Sequence, residues 1–222
     1  MTTQEVMATL KKLGKPTTAA IYKRHGSGDN VFGVLTSEIL KLKKKIRTDH
    51  ALAMELWKTG NAEARILAAQ IADPEKLTSA DADALMREVG SHGLGYYLAC
   101  LVAQSPIAEE TMRAWMKSPK EFVREAGYGI LGARLKEDAG SVSDADCAKV
   151  LAAIEKEIHG SPNRARSAMN GAVIAIGVFK PSMRKAAIEA AKRIGRVEVD
   201  HGDTNCKTPD AVAYIEKAAK RR

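Results

Sequence analysis

A short phrase ending in arginine occurs three times in this chain, as Asn61-Ala-Glu-Ala-Arg65, Lys120-Glu-Phe-Val-Arg124 and Pro162-Asn-Arg-Ala-Arg166. Each copy opens an alanine-rich amphipathic stretch. A small apolar residue (Ala64, Val123, Ala165) precedes the arginine, and alanine returns on the same helical face at Ala68, Ala126 and Ala168. The second and third arginines lie 42 positions apart, within the period of stacked helical-pair repeats, roughly 40–47 residues. The first interval is 59 positions. That mismatch predicts either an irregular repeat between residues 73 and 118 or an N-terminal unit built differently from the rest. Stacked helical pairs curve, so one helix of each pair faces a concave surface suited to a long ligand.

The chain's 222 residues can bury a core as one elongated domain. The expected organisation is a single domain over 1–222, with N-terminal helices at 1–58, a repeat array at 59–194, and a loop with a C-terminal helix at 195–222. No apolar run approaches the ~18–20 residues needed to cross a bilayer. The opening Met1-Thr-Thr-Gln-Glu-Val has neither the basic start nor the apolar stretch of a secretory signal. Cys100, Cys147 and Cys206 are odd in number and far apart, which fits a reducing compartment better than a disulfide framework. The expected setting is cytoplasmic, with no membrane and no cofactor.

Helix signals run the length of the chain. Thr3 to Leu13 and Thr17 to Arg24 read as helices, the second opened by Pro16. Thr36 restarts the pattern after Gly26-Ser-Gly-Asp-Asn30, and Leu35, Ile39, Leu42 and Ile46 form its apolar stripe. That stripe turns Lys41, Lys44 and Lys45 outward. Asp49 caps a helix to Trp57, and Asn61 starts another that stops near Asp73-Pro74. Thr78, Ser91, Ser105-Pro106, Ser118-Pro119, Ser143 and Ser161-Pro162 mark further starts. Gly195-Arg-Val-Glu-Val-Asp200 reads as an extended loop leading to a last helix begun by Thr208 or Pro209. The fold class is an all-α, right-handed solenoid of about six helical pairs.

A net charge of +8 and a pI near 9.4 favour polyanionic partners. Cations gather at Lys41, Lys43, Lys44, Lys45 and Arg47, again at Lys180, Arg184, Lys185, Lys192, Arg193 and Arg196, and finally at Lys217, Lys220, Arg221 and Arg222. These are either solvated helix faces and helix ends or phosphate-binding surfaces. Arg65, Arg124 and Arg166 are read first as braces between helical pairs, with phosphate contact as the alternative. His92, Tyr96, Tyr97 and Tyr128 are groove aromatics if they stack on exposed bases, and packing residues otherwise. His201, Asp203 and Cys206 sit within six residues, but a closed zinc site wants four ligands, so a hydrogen-bonded turn is expected and no metal.

Asn30-Val-Phe-Gly-Val34 followed by the lysine-rich helix, and then Glu55-Leu-Trp-Lys-Thr-Gly-Asn-Ala-Glu-Ala-Arg-Ile-Leu-Ala68, resembles the DNA alkylation repair proteins, HEAT-like-repeat alkylpurine DNA glycosylases. The resemblance runs from about Leu10 to Ile194 and includes Ala114-Trp-Met-Lys-Ser-Pro-Lys-Glu-Phe-Val-Arg-Glu-Ala-Gly127. It implies a C-shaped solenoid that embraces duplex DNA along a basic concave groove and releases N3- or N7-alkylated purines without a metal. The catalytic positions depart from the family. Tyr96 falls where the resemblance implies an aspartate. Glu125, with Arg124 beside it, falls where it implies an arginine, and Gly171 or a neighbour where it implies a tryptophan.

The sequence therefore reads as a monomeric DNA-binding protein that takes duplex or branched DNA by its backbone, with Lys41, Lys44, Lys45, Arg124, Arg164, Arg166, Lys180 and Arg184 as the candidate contacts. No catalytic residue is assigned, and base excision is left open. The alternatives are a protein-interaction scaffold using the same groove, or a divergent glycosylase whose active site has moved.

Overall fold

Polar side chains at the helix starts decide where most of the elements begin. In a computed structural model describing residues 1–220, Thr2 and Glu5 form a reciprocal capping box on α1 (Thr3–Leu13). Asp49 accepts from Leu52 N at 3.0 Å to open α4 (His50–Lys58), and Asn61 accepts from Ala64 N at 3.0 Å to open α5 (Ala62–Ile71). Between them in sequence lie α2 (Pro16–Arg24) and α3 (Thr36–Ile46). Thr78, Ser91 and Ser143 cap α6 (Ser79–Arg87), α7 (His92–Ala103) and α10 (Asp144–Glu157) in the same way. The described residues contain thirteen α-helices and no β-strand.

Four predicted starts differ from the structure. The Ser105 hydroxyl donates back to Val102 O at 2.7 Å, and the next helix does not begin until Ala108. Ser118 accepts from Lys120 N at 3.1 Å and so builds a turn, which delays α9 until Glu121–Glu137. The Ser161 hydroxyl donates back to Glu157 O at 2.9 Å, so Pro162 takes the cap position of α11 (Asn163–Phe179). Asp210 accepts from Ala213 N at 2.8 Å, so the last helix, α13 (Ala211–Ala219), starts beyond Thr208 and Pro209. The remaining elements are α8 (Ala108–Met116) and α12 (Arg184–Ile194). Residues 195–200 are neither helix nor strand, and Asp200 is tied to Asn163 by two hydrogen bonds of 2.7 Å. Arg221 and Arg222 of the last basic cluster lie outside the described residues.

The helices divide into two compact units, Met1–Ile107 and Ala108–Arg222. In the first, α5 is the hub, packing against α1, α3, α4 and α7 through Ala64, Leu67, Ala68 and Ile71. Its most consequential residue is charged. The fully buried Glu63 carboxylate accepts from three consecutive backbone amides, Phe32 N at 3.1 Å, Gly33 N at 2.6 Å and Val34 N at 3.1 Å. The loop can offer all three because Gly33 has φ +82°. A Cβ there would stand 2.1 Å from Lys15 O.

In the second unit α9 and α11 pack along each other, with α8 against α9 and α12 and α13 against α11. Glycine allows two of these approaches. A Cβ on Gly127 would fall 2.4 Å from Met116 N, and one on Gly177 would fall 2.6 Å from Ile215 Cδ1. The phrase's alanines (Ala126, Ala165) are buried between helices, where a larger residue would overpack.

The Glu63 cradle yields a test. Glu63→Ala leaves three amides without their charged acceptor, and a lost buried partner costs about 1–3 kcal/mol. The variant is expected to lose at least about 3 kcal/mol in urea unfolding. Glu63→Gln, which still accepts through one oxygen, should lose less.

Candidate nucleic-acid interface

The three repeated arginines occupy one structural position. Each is the fourth residue after its helix cap, its backbone N–H bonded to the cap carbonyl: Arg65 to Asn61 O at 2.9 Å, Arg124 to Lys120 O at 2.9 Å, Arg166 to Pro162 O at 2.8 Å. From there each guanidinium reaches back to the turn before its own helix. Arg65 Nε donates to Trp57 O at 3.1 Å, Arg124 Nε to Ser118 O at 2.8 Å, and Arg166 Nη2 to Ser161 O at 3.1 Å. Each also reaches forward. Arg65 pairs with Glu88 after α6, Arg124 Nη1 donates to Ser161 Oγ at 3.3 Å, and Arg166 Nη1 donates to Glu198 O at 2.8 Å. A planar fork suits this two-way contact better than a point charge does. The phosphate reading of Arg124 and Arg166 meets a guanidinium already committed to its neighbours.

The irregular interval now has an explanation. Helix α7 comes between α5 and α9 in chain order, and its fourth residue after the Ser91 cap is Gly95, 30 positions beyond Arg65 and 29 before Arg124. The series contains a further repeat that lacks the arginine.

The cationic clusters separate by how far their charge is already used. Lys41, Lys43, Lys44 and Lys45 are exposed on α3, and among the described residues only Lys41 is drawn to a neighbour, Glu38 at 2.7 Å. Arg164 is half-buried, and its backbone N–H bonds Glu121 Oε1 at 2.7 Å. Lys180 departs from its expected place among the DNA contacts. It is buried, and its ammonium donates to Ala139 O at 2.9 Å and Val142 O at 2.7 Å while pairing with Asp144 at 3.0 Å. Its long stem reaches carbonyls that a sequence reading could not have placed beside it. Arg184 donates to Gly177 O at 3.2 Å, and Arg193 grips Glu155 with two nitrogens at 2.7 and 2.8 Å. That second cluster is mostly internal bonding.

The aromatics fall in two settings. Tyr96 is 54% exposed and meets Tyr97 edge to face at 5.4 Å, with His92 exposed at the start of the same helix. The Cys100 thiol, and then partial burial, raise the Tyr96 phenol above its ordinary range; burial does the same for Tyr97. Both are neutral at pH 7. Tyr128 is a packing residue: it is buried, and burial pushes its hydroxyl up to about 12. Glu125 is buried too. His201 Nε2 contacts Thr208 Oγ1 at 3.0 Å, and Gly202 N bonds Asp200 Oδ1 at 2.7 Å, so the His201–Cys206 stretch is a hydrogen-bonded turn.

Gly171 stands in the middle of a 17-residue helix, exposed, with nothing within 4 Å of where its Cβ would be. Gly93 is equally bare in the first turn of α7. Glycine inside a helix costs about 1 kcal/mol against alanine, and neither position has a packing reason to bear it.

The profile of the family described as DNA alkylation repair enzyme matches residues 6–215. The chain belongs to this family. An uncharacterised protein of Listeria innocua serovar 6a is 30% identical over 228 aligned positions, covering 100% of this chain and 99% of that one. An uncharacterised protein of Listeria monocytogenes serovar 1/2a is 29% identical over the same span, covering 100% and 99%. One solved structure is similar over 100% of this chain and 95% of its own, with a TM-score of 0.92 and 31% identity. It represents a group of proteins related to the HEAT-like repeat DNA glycosylases with affinity for branched DNA structures. The all-helical, HEAT-like repeat fold is thereby established for this member of the DNA alkylation repair family.

The arginine position yields a test. Arg124→Ala frees Ser118 O and Ser161 Oγ and is expected to cost about 1–3 kcal/mol in urea unfolding. Arg124→Lys should recover only part of it, since one ammonium cannot serve both turns.

Proposed function

We propose that this protein binds branched DNA through the phosphate backbone, stacks exposed bases on Tyr96, and does not excise alkylated bases. The single observation that carries the reading is the surface at the positions where the family resemblance implies catalytic groups. There the chain offers an exposed neutral phenol at Tyr96 and a bare helix at Gly171. A bare glycine lets a foreign backbone approach the helix closely, and an exposed tyrosine face takes an unpaired base of any sequence, worth about 1–3 kcal/mol. Branched DNA supplies both. The affinity for branched DNA found in the 31% identical structural neighbour supports the same ligand class.

The argument against excision is electrostatic. An alkylated base leaves from a sugar that becomes cationic, and a carboxylate aimed at that charge stabilises it. A phenol held above its usual pKa carries no charge at pH 7. Glu125, which falls where the family resemblance implies an arginine, is buried.

Cations left in solvent are the phosphate contacts of this reading. Lys44 and Lys45 are exposed and take part in no ion pair among the described residues, so they lead the set, with Lys41, Arg164 and the outer edges of Arg124, Arg166 and Arg184 behind them. Affinity for a four-way junction should fall steeply with salt, the logarithmic slope being about −0.9 per phosphate neutralised. Lys44→Glu with Lys45→Glu should flatten it by about 1.8. Affinity indifferent to salt, or equal for junction and plain duplex, would defeat the proposal.

Gly171→Ala separates the functional reading from a structural one. It should stabilise the fold by about 0.5–1 kcal/mol while weakening junction binding. A stabilised protein with unchanged affinity would remove Gly171 from the interface.

Release of 7-methylguanine from duplex DNA should stay at the level of a heat-denatured control. Tyr96→Asp alone should not create it, because Glu125 and Gly171 still stand where the family resemblance implies an arginine and a tryptophan. Robust release by the unaltered protein would contradict the lost-site argument.

A further inference from the structure

A cleft of about 420 Å³ opens in the second unit between α8 and α10, floored by α9. It exists because the two flanking helices find their packing elsewhere, α8 on α9 and α10 on α12. Across its mouth they are joined by Arg113 Nη2 to Asp146 Oδ2 at 3.1 Å. The cleft's size and largely apolar lining are those of a ligand pocket, about 300–1,000 Å³ with a few polar groups at its edge. None of this depends on the DNA reading.

The lining has a definite chemistry. Met112 and Met116 present two thioethers from α8, and Val150 and Ala153 face them from α10. Thioethers are adaptable and favour aromatic rings at their edges. Around this floor stand Arg113, Lys117, Arg124 and Lys149 against only Asp146 and Glu157, an excess of two positive charges. Ser143 and Arg113 hold the Asp146 carboxyl down at about 2, so it is already the anion that Arg113 and Lys149 share. Lys117 is exposed, with no ion pair among the described residues. It stands in the turn directly after α8, four residues beyond Arg113. Cations spaced along the two walls of an open cleft match carboxylates spaced along an extended chain.

We propose that this cleft docks an acidic peptide segment of a partner protein, with one aromatic side chain between Met116 and Val150 and flanking carboxylates on Lys117 and Lys149. The ring supplies desolvation and the carboxylates supply orientation.

The test uses the full chain and a dye-labelled peptide, Asp-Asp-Phe-Asp-Asp, followed by fluorescence anisotropy at low salt. Binding is expected, at least tenfold weaker for the peptide with alanine in place of phenylalanine. Val150→Glu should abolish it and leave junction affinity unchanged, which separates this site from the DNA surface. Should Val150→Glu not fold, the exposed pair Lys117→Glu with Lys149→Glu should weaken the peptide at least tenfold at an unchanged melting temperature. The proposal is overturned by no binding, by equal binding of the alanine peptide, or by phenylacetate competing as strongly as the peptide does.

Discussion

A guanidinium at the fourth position of an inner helix is the interaction on which the repeat architecture depends. From that position the side chain overlooks two turns at once, the one that ended its own pair and the one that opens the next. Arg124 and Arg166 meet at the same residue, Ser161, one through its hydroxyl and the other through its carbonyl. Helix ends leave carbonyls without partners, and a stack of short helices has many such ends. A charged five-donor fork satisfies several together, and its permanent charge keeps the bond at any physiological pH.

The same economy governs the other buried polar groups. Glu63 gathers three amides of a loop with no secondary structure of its own, and Lys180 gathers two carbonyls and a carboxylate at the opposite end of a helical pair. Together these groups free the inner helices to carry alanine and glycine, so that backbones can approach closely.

The charge of this protein illustrates why net totals mislead. The cluster from Lys180 to Arg196 looks in sequence like the strongest polyanion site, yet most of its members are bonded internally. The less conspicuous run on α3 keeps its ammonium groups in solvent. An ion's availability depends on which carbonyls and carboxylates the fold brings within about 3 Å, and those come from residues about 40 positions away, as Ala139 and Val142 are from Lys180.

Local chemistry was sufficient for the helices, the caps at Thr2, Asp49, Asn61, Thr78, Ser91 and Ser143, the repeat, and the membership of the family, because each rests on interactions between residues a few positions apart or on a pattern repeated in line. Helix starts after Ser-Pro were misplaced because Ser105, Ser118 and Ser161 spend their hydroxyls on turns beside them, at Val102 O, Lys120 N and Glu157 O, instead of on helix caps. The meaning of the 59-residue interval, the burial of Glu63 and Lys180, and the cleft between α8 and α10 were decided by tertiary structure alone. Each depends on which distant segments share a surface, and sequence periodicity fixes a helix's own faces without naming the neighbour that covers them.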